Sequence, residues 1–128
     1  MSMTALDLPA EALKKYRPLE AILGRKKPAR TDINRRRRAN LAARKAAGLL
    51  RREFGAERVI LFGSLARRGG FTPWSDIDLA ARGIPPARFF EAVGWVIGMN
   101  AEFKLDLIDL DTCPSALRET IELEGKDL

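Results

Sequence analysis

The sequence predicts an α+β domain with a helical extension at its N-terminus. Three observations carry this: an Ala/Leu/Arg-rich segment over about 34–54, three short apolar runs that alternate with it and with two further helical patterns, and Gly or Pro punctuation between them. Asn34 to Phe54 consists of good helix formers, with Asp32 or Asn34 available as a cap, Gly55 at its stop and Leu41, Leu49, Leu50 and Phe54 as its buried stripe. Arg58 to Phe62 (RVILF) predicts a buried strand ended by Gly63. Ser64 to Arg68 is expected as a helical turn, and Gly69, Gly70 and Pro73 as a loop. Asp76 to Ala81 is the second expected strand. Pro85 to Asn100 is the next helix, with Phe89, Val93 and Val96 or Ile97 inward and Phe89, Phe90 and Trp95 as core aromatics. Phe103 to Leu110 (FKLDLIDL) is the third strand, and Thr112 to Glu124 the last helix, with Pro114 in its first turn.

Residues 1–33 are expected to be an appendage: Leu13, Tyr16, Leu19, Ile22 and Leu23 line a short amphipathic segment interrupted by Pro18, and Gly24 to Thr31 is a linker. The remaining 34–128 form the main domain. At 128 residues there is room for one modest core and none for a second substrate domain of ordinary size. An apolar content of 46% with 31% charged residues is that of a soluble globular chain, with no membrane span and no secretory pattern, so the cytoplasm is the expected compartment.

Absences narrow the chemistry. The chain has no histidine, which excludes a Ser-His-Asp triad, a histidine-ligated zinc and a histidine base. Its one cysteine, Cys113, excludes an internal disulfide and is expected to be inert packing. Acid–base work falls to carboxylates, lysines, tyrosine or a metal-bound water.

The net charge of +6 is unevenly spread: residues 25–52 hold twelve basic residues against one acid, whereas 53–128 hold eight against thirteen. A basic arm thus precedes an acidic domain. Arg35, Arg36, Arg37 and Arg38, with Arg44, Lys45, Arg51 and Arg52, are candidates for nucleic-acid contact, although four consecutive arginines spread around a helix and do not form one reading face. A solvated helix, or one meeting an acidic partner, is the alternative.

The densest chemistry lies in FGSLARRGGFTPWSDIDLA. Asp76 and Asp78, one residue apart on an apolar strand, point to one side of it. Carboxylates that close repel, and a divalent cation relieves them. The Gly63-Ser64 turn just upstream offers exposed backbone to phosphate oxygens. Asp106, mid-strand between apolar neighbours, is the candidate third carboxylate because it needs a partner there; Asp109 is the fallback, since it and Asp111 lie near the strand end, where solvation or capping explains them. Lys104 shares the face of Asp106, either in a salt bridge to that cluster or as a phosphate contact. Trp74 is expected to pack against its loop rather than to stack on a base.

Together these residues resemble the minimal nucleotidyltransferases of the DNA polymerase beta superfamily, whose signature is Gly-Ser, an Ala-Arg-Gly loop, Ser-Asp-x-Asp and a later Asp. The resemblance covers about residues 36–124. Eleven residues, 65–75, separate Ser64 from Asp76, one more than is usual in that family. The resemblance implies a polymerase-beta-like palm, a small mixed sheet flanked by helices. It implies Mg2+ (two ions) held by Asp76, Asp78 and Asp106, with Asp106 also helping to deprotonate the attacking hydroxyl. Two such ions, about 3.5–4 Å apart, stabilise the entering and leaving oxygens. It places ATP's β- and γ-phosphates at Gly63 and Ser64 and the leaving pyrophosphate at Arg67 or Arg68, with Ser75 orienting carboxylates or loop. Minimal members are commonly antitoxins that transfer AMP from ATP to a tyrosine of a HEPN-type toxin, so the resemblance also implies a hetero-oligomer. The alternative is a binding module that neutralises its partner by occlusion.

Overall fold

The computed structural model describes residues 30–67 and 70–128, with the side chains of 30–32 left aside. The expected amphipathic segment from Leu13 to Leu23, most of its linker, and Arg68 and Gly69 of the loop lie outside the described residues.

Helix α1, Arg30–Phe54, runs 25 residues and already includes Asn34, so neither Asp32 nor Asn34 caps it. It stops at Gly55, whose φ of 75° suits a residue without a Cβ, and the Ala56 N–H closes the end on the Leu50 carbonyl at 3.1 Å. The buried stripe is mainly alanine: Ala39, Ala42, Ala43, Ala46 and Ala47, followed by Leu50 and Phe54. This corrects the expectation for Leu41, which is 61% exposed. At 100° per residue Leu41 stands about 200° from Ala39, on the outer face. Small side chains in a close-packed stripe make the helix interface intolerant of added volume.

The sheet has order β3-β2-β1-β4. Strands β1 (Arg58–Phe62) and β2 (Ile77–Arg82) pair antiparallel, with Val59 opposite Ala81 and Phe62 opposite Asp78. Strand β3 (Leu105–Asp109) runs parallel to β2, and the two-residue β4 (Lys126–Asp127) adds antiparallel to β1. The sheet is therefore mixed, as expected. Helix α2 (Pro86–Ile97) joins the parallel pair, as a parallel connection requires, and α3 (Ser115–Glu124) precedes β4.

Strand alternation makes two layers. Val59, Leu61, Ile77, Leu79, Ala81, Leu105 and Leu107 pack with α1 and with Ala92 and Val96 of α2 in the larger core. Ile60 and Ala80 face the other way and meet Leu110 and Ile121, with Phe62, Ile108 and Cys113 half-buried around them. Asp76, Asp78 and Asp106 share the parity of this second, thinner layer. Emptying a fully buried leucine such as Leu79 to alanine would cost about 2–5 kcal/mol.

Two of the three expected core aromatics are on the surface: Phe90 is 89% and Trp95 56% exposed, while Phe89 packs half-buried against the core. The buried stripe of α2 is Phe89, Ala92, Val93 and Val96, and helical spacing turns residues 90 and 95 away from it. Ile97, the alternative to Val96 in that stripe, is likewise exposed. Among the described residues no helix is long and apolar enough to cross a membrane.

The arginine run is mostly engaged within the chain. The two Arg35 Nη groups donate to the carbonyls of Thr72 and Pro73 at 3.1 Å each, and its guanidinium lies 5.1 Å from the Phe71 ring centroid and 4.9 Å from that of Phe103. Arg36 donates to the Leu65 carbonyl at 2.9 Å and to that of Arg67. Arg38 forms a two-point pair with Glu102 at 2.9 and 2.7 Å. Of Arg35, Arg36, Arg37 and Arg38 only Arg37 falls outside these contacts, so the run does not present a phosphate-binding face and the nucleic-acid expectation finds no support. Arg35 and Arg36 clamp the loop that leads from β1 to β2.

Candidate active site

Gly63 ends β1 and opens a 3-10 turn over Gly63–Leu65, closed by the Ala66 N–H on the Gly63 carbonyl at 3.1 Å and the Arg67 N–H on that of Ser64 at 3.2 Å. Its φ is 77°, and a Cβ built on it would collide with the Asp78 carboxylate. Glycine here is a geometric requirement, because the bend and the acid occupy adjoining space.

Asp78 faces Asp106 directly across the β2–β3 ladder. Asp76 stands immediately before β2, beside the Ile77 N–H that donates to the Lys104 carbonyl at 2.9 Å. Register and parity thus gather all three acids on one face at one end of the sheet, with the Gly63-Ser64 turn alongside. Asp109, the fallback, lies opposite Ala81 towards the other end of the ladder; its Oδ1 accepts the Asp111 N–H at 2.9 Å. Asp111 in turn accepts the Gly83 N–H at 3.1 Å and pairs with Arg82 at 3.4 Å. Both acids have local tasks.

The electrostatics report the crowding. Burial pushes the Asp78 carboxyl up to about 6, with the charges of Asp106 and Asp76 adding to the rise and those of Arg67 and Lys104 opposing it. Asp76 is also raised, by burial first and then by the Asp106 charge, against the pull of Lys104. As placed, no three acidic groups among the described residues already form a cage that would grip an ion. Three carboxylates on a shared face, two of them with raised pKa, are donors of the type that suits a divalent cation, whose charge would remove the mutual repulsion.

Around the acids, Arg67 is exposed and sits 3.7 Å from Glu124, yet close enough to lower the Asp78 pKa. The Ser75 Oγ accepts the Thr72 N–H at 3.0 Å and meets the Thr72 hydroxyl at 3.0 Å, while the Ser75 N–H returns to the Thr72 carbonyl at 3.0 Å. Within this turn Trp74 does not pack against its loop: the residue is 77% exposed, and its backbone N–H donates to Thr72 Oγ1 at 3.2 Å. Cys113 is half-buried, with Sγ 3.8 Å from the Leu110 carbonyl, consistent with packing. The clamp by Arg35 and Arg36 was not legible in the sequence; its one signal was a run of arginines at the start of a helix that follows no nucleic-acid-reading spacing.

The family model of the nucleotidyltransferase domain matches residues 43–118, from the middle of α1 into α3. The chain belongs to that family. The match spans Gly63, Ser64, Asp76, Asp78 and Asp106 and more than half of the sequence. Solved structures agree on the fold of this nucleotidyltransferase. A toxin–antitoxin structure with AMP-PNP is similar at 25% identity and TM-score 0.56, covering 66% of this chain and 70% of that one. The Shewanella oneidensis complex of a tri-AMPylated HEPN toxin with an MNT antitoxin is similar at 24% identity and TM-score 0.53, covering 70% of each chain. The MntA-HepT toxin–antitoxin is similar at 23% identity and TM-score 0.52, covering 69% of each. No curated protein matches by sequence.

Proposed function

We propose that this nucleotidyltransferase transfers AMP from Mg-ATP to a hydroxyl, a tyrosine's, on a HEPN-type toxin and thereby acts as its antitoxin. The observation that carries the reading is the facing pair Asp78 and Asp106, with Asp76 on the same side and a left-handed glycine bend against Asp78. The similarity to toxin–antitoxin complexes, one with a tri-AMPylated toxin and one with AMP-PNP, supports the acceptor and the nucleotide.

In this reading Asp76 and Asp78 would hold two divalent cations, with Asp106 sharing one of them. When bound, the cations offset charge on the entering and leaving oxygens of an in-line displacement. The chain's own groups do the rest. Gly63 brings backbone N–H groups up to the β- and γ-phosphates, and Ser64 adds a hydroxyl donor. Asp106 takes the proton of the attacking hydroxyl as its oxygen bonds to the α-phosphorus. The bond to the bridging oxygen breaks, and its electron pair leaves with pyrophosphate. Arg67, near enough to act on Asp78, offsets the charge of that leaving group. Ser75 and Arg35 hold the intervening loop at fixed geometry.

Incubation with labelled ATP, Mg2+ and the partner tests this against occlusion. Label on the partner that disappears with Asp76→Asn supports transfer. Neutralisation that survives the same substitution supports a non-catalytic binding module.

A further inference from the structure

We propose that Lys104 is the resident counter-ion of the carboxylate cluster, held by Asp76 in the cation-free protein and passed to the nucleotide's α-phosphate when divalent cations bind. The inference rests on the metal and nucleotide reading above. The hydrogen bond from the Ile77 N–H to the Lys104 carbonyl at 2.9 Å sets Lys104 level with Asp76, and strand parity puts it on the face of Asp106. Its Nζ is 4.0 Å from Asp76 Oδ2, and its side chain is 63% exposed.

A pair this long and this wet adds little to the stability of a fold, so stability does not explain the placement. A cation held at the far edge of the acids does. Arg67 lies on the β1 side of the acids, where the glycine bend would take the outer phosphates. Lys104 lies on the β3 side, next to the acid assigned to the attacking hydroxyl. A divalent cation on Asp76 competes with the ammonium for the same carboxylate and repels it. The flexible four-carbon stem lets the ammonium swing without disturbing the backbone. The anion then within its reach is the phosphate fixed between the carboxylates and the acceptor. Lys104 gives charge and hydrogen bonds there and transfers no proton.

The test uses Lys104→Met and Lys104→Arg in the full chain, with Mn2+ affinity measured by electron paramagnetic resonance without nucleotide and label transfer from ATP to the partner measured separately. Lys104→Met should bind Mn2+ several-fold more tightly, with an unchanged melting temperature, and lose roughly tenfold or more in kcat with little change in KM. Lys104→Arg should restore most of the turnover. Unchanged Mn2+ affinity and kcat in Lys104→Met would overturn the inference while leaving the site's reading intact. A wild-type chain that binds no Mn2+ would overturn both.

Discussion

Asp78 and Asp106 face each other across a parallel pair of strands, and the glycine at the end of the neighbouring strand leaves no room for a side chain beside the first of them. Two carboxylates in this relation weaken the fold unless a cation joins them.

In chelator-treated protein Asp78→Asn should be more stable than wild type at neutral pH, by on the order of 1–2 kcal/mol. The folded-state carboxyl sits at about 6, above its unfolded value, so the folded chain binds the proton more tightly. The wild-type penalty is therefore full above pH 6, shrinks as pH falls through the window between about 6 and 4, and is gone below it. Urea melts at pH 7 and pH 4 check this: the advantage of the variant should be present at the first and absent at the second. Asp76→Asn and Asp106→Asn should leave metal-free stability unchanged or raise it, while stabilisation by Mg-ATP shrinks in all three.

Gly63→Ala introduces both a disfavoured φ and a contact with the Asp78 carboxylate. A loss of about 1–3 kcal/mol in stability is expected, together with weaker nucleotide binding. Thermal melts with and without a non-hydrolysable ATP analogue separate the two effects. A variant as stable as wild type would show that the bend relaxes freely.

Arg35→Met removes two hydrogen bonds to the Thr72 and Pro73 carbonyls and should lower stability by about 1–2 kcal/mol, with a raised KM for ATP as the loop loosens. Arg37→Met, outside these contacts, should stay within about 0.5 kcal/mol of wild type. Equal effects of the two would contradict the assignment of the run to loop clamping.

Ala43→Leu drives a larger side chain into the fully buried alanine stripe and should destabilise by about 1–3 kcal/mol, whereas Leu41→Ala on the outer face should be nearly neutral. Denaturant midpoints of the two variants check which face of α1 packs.

The acidic trio and the glycine bend were legible because each broke a local rule: charges on apolar strands, and a glycine closing one. Alternation then fixed their common face without any long-range information. Leu41, Phe90 and Trp95 were misread for the opposite reason, while Phe89 does pack against the core. Hydrophobicity alone named them as core, but helical phase decides burial, and it is marked by alanines 39, 42, 43, 46 and 47 on α1 and by Ala92 and Val96 on α2. Arg35 and Arg36 were opaque because their partners are backbone carbonyls some thirty residues away, and carbonyls have no sequence signature. Trp74 could not be placed from sequence because the Thr72–Ser75 turn, not its hydrophobicity, turns it outward.

A Mn2+ titration in the presence of a non-hydrolysable ATP analogue addresses the acidic cluster most directly. Wild-type protein should bind two ions, and Asp78→Asn should lose at least one while remaining folded. Identical stoichiometry and affinity in the two proteins would mean that the carboxylates facing each other across the strands do not hold the metals.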